Sequence, residues 1–131
     1  MGRQYEEMAS YENLYRAWKL ARRGKSADHE VQKFALEASA RLWKLHDSLE
    51  KRQYQPMGYY HFTVYEPKKR EIYAPYFEDR VVQHSLCDNV LRPWMEARLI
   101  YDCAACRIGK GTHFAMDRLS GFLREFYREH G

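Results

Sequence analysis

What the chain lacks narrows its chemistry first. No apolar run approaches the roughly 20 residues needed to cross a bilayer, so no membrane partner is expected. The opening residues, Met1-Gly-Arg-Gln-Tyr-Glu-Glu7, do not show the charged-then-apolar pattern of a secretory signal. Gly2 makes no myristoylation site, because position 6 is Glu rather than Ser or Thr. Cytoplasmic residence is the expectation. Cysteine is sparse: Cys87, Cys103 and Cys106 cannot all pair, and in an intracellular chain they should be reduced. The spacing Cys103-Ala-Ala-Cys106 has no second pair, and no well-spaced His/Cys set, to complete a tetrahedral zinc site. No Ser-His-Asp, metallohydrolase or paired-carboxylate constellation stands out. No internal repeat and no low-complexity tract is present. On these grounds no catalytic residue and no metal ligand is assigned.

What is present suits one small domain of 131 residues, rich in helix formers and in aromatics, with 11 tyrosines. The formal charge of +4 points toward a polyanionic partner. The excess is spread thinly. Residues 1–59 hold eleven Lys/Arg against eight Asp/Glu, residues 60–113 eight against seven, and residues 114–131 three against three. Nucleic-acid binding must therefore rest on local clusters rather than on bulk charge.

The pattern divides the chain into a helical segment over residues 1–59 and a mixed segment over 60–131. Tyr11, Leu14, Tyr15 and Trp18 recur at the spacing of one buried helical face, and Gly24 is a plausible stop. Ser26 or Asp28 can cap a second helix that buries Val31, Phe34/Ala35, Ala38, Leu42, Leu45 and Leu49 and runs to about Arg52. Pro56 and Gly58 end this helical part. Tyr60, Phe62 and Val64 then alternate with His61, Thr63 and Tyr65 as a half-buried strand requires. After a turn at Pro67, Arg70, Ile72 and Ala74 share one face of a returning strand. A helix over about 78–91 buries Val82, Leu86 and Val90, and Arg92-Pro93 ends or bends it before a short helical piece over 94–99. A last helix starts at Thr112, as N-cap, and lines up Ala115, Met116, Leu119, Phe122, Leu123 and Phe126. The fold class expected is α+β, mostly helical with one β-hairpin.

Two basic clusters sit in turns. Lys68, Lys69 and Arg70 form the hairpin tip, where a lysine can act as a point charge on phosphate and an arginine as a planar fork. Each good charge-assisted contact contributes on the order of 1.5–3 kcal/mol. A solvated cationic turn is the plain alternative. Arg107-Ile-Gly-Lys-Gly-Thr-His113 is a glycine-bearing basic loop that opens a helix, where backbone N–H groups and the helix dipole favour an anion. It is not a Walker loop, since the glycine frame is wrong and Lys110 precedes Gly rather than Ser or Thr. Its plain alternative is a structural cap. Asp79, in a helix's first turn, suits the dipole, and His84 reads as a packed or hydrogen-bonded histidine. Tyr59, Tyr60, Tyr65, Tyr73 and Tyr76 can stack on bases, although tyrosine at strand spacing is more often partial core.

Three blocks in order, Val64-Tyr-Glu-Pro-Lys68 with Arg70, Asp79-Arg-Val-Val-Gln-His84, and Ala105-Cys-Arg107 leading into Gly109-Lys-Gly-Thr-His113, carry a resemblance. The region from Phe62 to His113 resembles the amino-terminal fingers of bacterial reverse transcriptases, of the diversity-generating retroelement and group II intron type. That resemblance implies a fingers subdomain without its palm. It implies that Lys68, Arg70 and Arg80 contact the phosphates of an incoming nucleotide. It also implies that Gln83, Arg107, Gly109, Lys110 and Gly111 face the template strand, with Lys69 on the same side. The partners implied are an RNA template or RNA–DNA hybrid and, in a split enzyme, a separate chain bearing the palm. The family's Tyr-x-Asp-Asp tetrapeptide is absent, and Asp117 has no partner acid in its helix. Two-metal nucleotidyl transfer needs such aspartates, so no cofactor is expected in this chain, magnesium belonging to a complete polymerase. The expectation is a fingers piece of a polymerase, inactive by itself, as a truncated product or half of a split enzyme. A free-standing RNA-binding module and a structural interaction protein are the alternatives. Apolar residues along Phe122, Leu123 and Phe126 should be left exposed and drive self-association.

Overall fold

The computed structural model describes residues 2–131 and shows an α+β chain, mostly helical, with one two-stranded antiparallel hairpin. Its elements are α1 (Gly2–Ala9), α2 (Tyr11–Ala21), α3 (His29–Leu36), α4 (Ala38–Glu50), β1 (Tyr59–Val64), β2 (Arg70–Pro75), α5 (Phe77–Leu86), a π-helical turn (Cys87–Leu91), α6 (Arg92–Glu96) and α7 (Thr112–His130). The chain divides into two compact units, one reaching to Trp94 and one spanning Met95–Gly131.

The first unit holds every fully buried apolar side chain among the described residues. On α2 the buried stripe is Leu14, Ala17, Trp18 and Ala21, the pattern of one helical face. Tyr11 is only half-buried and Tyr15 is exposed, so small alanines occupy the face where the spacing suggested tyrosines. This lets α5 pack closely on α2. Val31 and Phe34 of α3, Leu42, Leu45 and Leu49 of α4, and Phe77, Val81 and Val82 of α5 complete the core. Phe34 meets Phe77 edge-on at 5.0 Å between ring centres, a favoured aromatic geometry. Each of these large side chains contributes roughly 1.5–3 kcal/mol on burial.

Several boundaries differ from the sequence expectation. Residues 29–50 form two helices, not one. Glu37 leaves the helical region at φ −123°, ψ 27°, and its N–H falls back to the Phe34 carbonyl at 3.1 Å. An unbroken helix over that span would exceed about 30 Å, too long to lay both apolar faces on so small a core. The break bends the second half back. Asp28 rather than Ser26 caps α3, accepting from Glu30 N–H at 2.9 Å. Helix α1 was not foreseen. It is held by Met8, Ala9 and a 2.6 Å bond from the Tyr5 hydroxyl to the Leu49 carbonyl. Ser10 then caps α2 by accepting from Asn13 N–H.

Arg92-Pro93 does not end the helix that precedes it: α5 runs through the π-helical turn into α6 without a gap. Proline has no N–H to give and crowds the carbonyl four residues back. The chain passes this point through the wide turn at 87–91, where Arg92 N–H reaches Cys87 O, five residues behind, and α6 continues. The expected piece over 94–99 is thus α6, ending at Glu96. Buried Ser85 anchors this region by donating to Met8 O at 2.6 Å. Leu86 and Val90 are only partly buried.

Considered by itself, the second unit has no fully buried side chain. Its long helix α7 exposes Met116, Leu119, Phe122, Leu123 and Phe126, the last at 63%. Gly111 rather than Thr112 occupies the cap position, and no side chain caps the helix.

Candidate nucleic-acid interface

The hairpin pairs Tyr59 with Pro75 through Val64 with Arg70, leaving residues 65–69 as the connection. Strand alternation puts Tyr60, Phe62 and Val64 on one face together with Ala74, Ile72 and Arg70. Tyr59, His61 and Thr63 share the other with Pro75, Tyr73 and Glu71. Only Ala74 is fully buried among the strand residues. The hairpin therefore projects from the helices instead of lining their core. Its turn contains the cis peptide Glu66–Pro67.

All three tip cations, Lys68, Lys69 and Arg70, are exposed. Among the described residues their side chains have neither an ion pair nor a hydrogen bond. Their donors are free for an external acceptor. On the face that carries Arg70, four residues along β1 and about 13 Å away by strand rise, stands Tyr60. Its hydroxyl accepts from Arg80 Nη2 at 3.3 Å. Tyr60 packs against Phe62 and Tyr76, at 5.9 and 5.5 Å between ring centres. Arg80 is half-buried and steadied by Tyr60, while Gln83 and His84, one turn further along α5, are exposed. His84 is thus not a packed histidine. One face of the first unit consequently lines up Arg70, an aromatic strip and Arg80. The opposite face presents Tyr59 and Tyr73, both more than 60% exposed, with the His61 ring 4.7 Å from that of Tyr73. Free cations at one end and open rings along a ribbon offer phosphate contact and base stacking together.

The root of the hairpin is fixed by a residue whose role the sequence did not reveal. Asp79 is buried, and its carboxylate accepts from the Tyr54 hydroxyl and from Met57 N–H, the latter at 2.8 Å. Burial, and then the bond to Asp79, push the Tyr54 phenol well above its ordinary range. One acid near the start of α5 thereby ties down the segment that enters β1. Its partners lie more than twenty residues away, and no local spacing announces them.

The second cluster, in the second unit, is arranged differently. Arg107 spends its guanidinium inside the loop. It bonds Glu96 at 2.9 Å and the carbonyls of Ile100 and Cys103 at 2.6 and 2.8 Å, and the hydrogen bond to Glu96 raises its pKa. Lys110 donates to the Tyr101 carbonyl and lies over the rings of Tyr101 and Phe114, at 4.1 and 5.0 Å. Both cations hold the loop in shape. Gly109 and Gly111 have φ of 76° and 148°, a region that L side chains rarely adopt. They are required by the backbone whether or not a strand passes. Arg118 pairs with Asp102, and that hydrogen bond lowers the Asp102 pKa.

Cys103 and Cys106 carry free thiols, as does Cys87. No helix among the described residues is long and apolar enough to cross a membrane. In comparisons with known proteins, no protein-family model matches the chain and no curated protein does so significantly.

Proposed function

We propose that this chain is the fingers part of an RNA-directed DNA polymerase, gripping template RNA and the phosphates of an incoming nucleotide through its hairpin. The observation that carries the reading is the tip itself. Three consecutive cations stand exposed and unneutralised on a projecting ribbon, in a chain where many other cations are paired. Arg80, held by Tyr60 on the face that Arg70 shares, extends that contact surface toward Gln83. Arg107 and Lys110 support the reading indirectly. They shape the glycine loop, leaving Gly109 and Gly111 to offer backbone N–H groups to the template. Residues 1–131 bind without polymerising, and magnesium chemistry belongs to the palm of a complete polymerase.

The test is binding of a primed RNA template as salt is varied. Contact with phosphates releases counterions, so affinity should fall steeply with salt. Lys68→Ala/Arg70→Ala should reduce the slope of log K against log salt by about 1.4 to 1.8. An unchanged slope would remove these residues from the interface. In a labelled-nucleotide extension assay the chain should incorporate nothing, and reproducible magnesium-dependent synthesis would refute the non-catalytic assignment.

A further inference from the structure

Away from the hairpin, the end of α2 and the start of α3 enclose a cavity of about 410 Å³. It is lined by Lys19, Arg22, Arg23, Ser26 and Gln32, together with the apolar Val31 and Ala35. Three of these residues are cations and none is an acid. The acids nearest in sequence are committed elsewhere. Asp28 caps α3 through Glu30 N–H, Glu30 accepts from Phe77 N–H at 3.2 Å, and Glu12 pairs with Arg16. Two of the cations are held in place by aromatic rings rather than by carboxylates. The Arg22 guanidinium lies 4.5 Å from the Trp18 ring centre, and Lys19 Nζ lies 4.8 Å from that of Tyr15. A cation steadied on a ring keeps its N–H donors available. Gln32 is also fixed, donating to Ser26 O at 2.8 Å.

The dipole of α2 favours basic residues at its carboxyl end, which accounts for Lys19 in the last turn. The same dipole suits Arg22 at the C-cap, but three cations around one concavity whose lining holds no acid repel one another, and an entering anion would relieve that repulsion. We propose that this groove is a second phosphate-binding site, for the phosphodiester backbone of a polynucleotide. It adds a contact on the helical part of the chain that is independent of the hairpin residues. The proposal rests on the nucleic-acid reading above.

The experiment uses the whole chain and a fluorescein-labelled single-stranded RNA, with anisotropy titrations from about 50 to 200 mM salt. Lys19→Gln/Arg23→Gln leaves the Arg22–Trp18 stack intact, and thermal melts followed by circular dichroism establish that the variant folds. Arg23→Glu, a single exposed change, serves as a second variant. Losing two contacts to a single strand should reduce the salt slope by about 1.4, additively with Lys68→Ala/Arg70→Ala. If the folded groove variants keep the wild-type slope while the hairpin variant loses it, the groove proposal fails and the hairpin reading stands. If the groove variants lose slope and the hairpin variant does not, the groove stands and the hairpin assignment falls. Absence of salt-dependent RNA binding by the wild type overturns both.

Discussion

At the scale of single residues, Asp79 has the largest structural consequence. It is a buried acid whose two partners, Tyr54 O–H and Met57 N–H, belong to the segment leading into the hairpin. Asp79→Ala leaves both donors without an acceptor and should cost about 3 kcal/mol in a denaturant titration. Asp79→Asn keeps an acceptor oxygen and should cost less. The raised Tyr54 pKa gives a pH signature. Below the ordinary tyrosine value of about 10 both folded and unfolded states carry the proton. Above it the unfolded chain loses the proton first, so stability falls as pH rises toward the higher folded value. The midpoint of denaturation should drop as pH rises above about 10 in the wild type, and less in Tyr54→Phe. None of this was readable from sequence, where Asp79 looked like an acid placed for a helix dipole. Arg107 teaches the complementary lesson. A basic residue beside glycines reads as a ligand contact, yet here Glu96 at the end of α6 and two carbonyls of the loop take up the guanidinium.

At the scale of elements, the hairpin and α5 divide presentation from stability. Phe77 is 1% exposed and wedged against Phe34, so Phe77→Ala should cost about 3–5 kcal/mol. Phe62 and Tyr73 stand 40% and 64% exposed, and their replacement by alanine should change stability by less than about 1 kcal/mol while weakening RNA binding if the rings stack on bases. The hairpin was legible because strand alternation and a turn proline act locally, and its observed strand bounds lie within one residue of the expected ones. The break at Glu37, the π-helical passage to Pro93 and helix α1 were not. Each answers to packing between elements far apart in sequence, which periodicity along one element does not encode.

At the scale of the whole chain, apolar burial is concentrated in the first unit, while Met95–Gly131 carries no fully buried side chain. A piece of fewer than about 40 residues seldom sustains a fold without further support. The open stripe of α7, Met116, Leu119, Leu123 and Phe126, is the natural place for it, as the helical spacing indicated. Sedimentation velocity across a concentration series should show self-association, and Leu119→Glu/Leu123→Glu should return the protein to a monomer. A wild type that stays monomeric at high concentration would count against that reading. Amide exchange should separate the units as well, with α2 and α5 protected and α7 exchanging early when the protein is dilute.

The arrangement around Asp79 has a mechanical corollary. Its carboxylate secures the approach to β1, and α5, on which it rides, begins two residues after β2 ends. The ribbon is therefore a cantilever: clamped where it meets the helices, unsupported at its far end, with deflection growing toward Lys69. A polyanion seized at that end would load the clamp, and a weakened clamp would let the arm sag before the helices came apart.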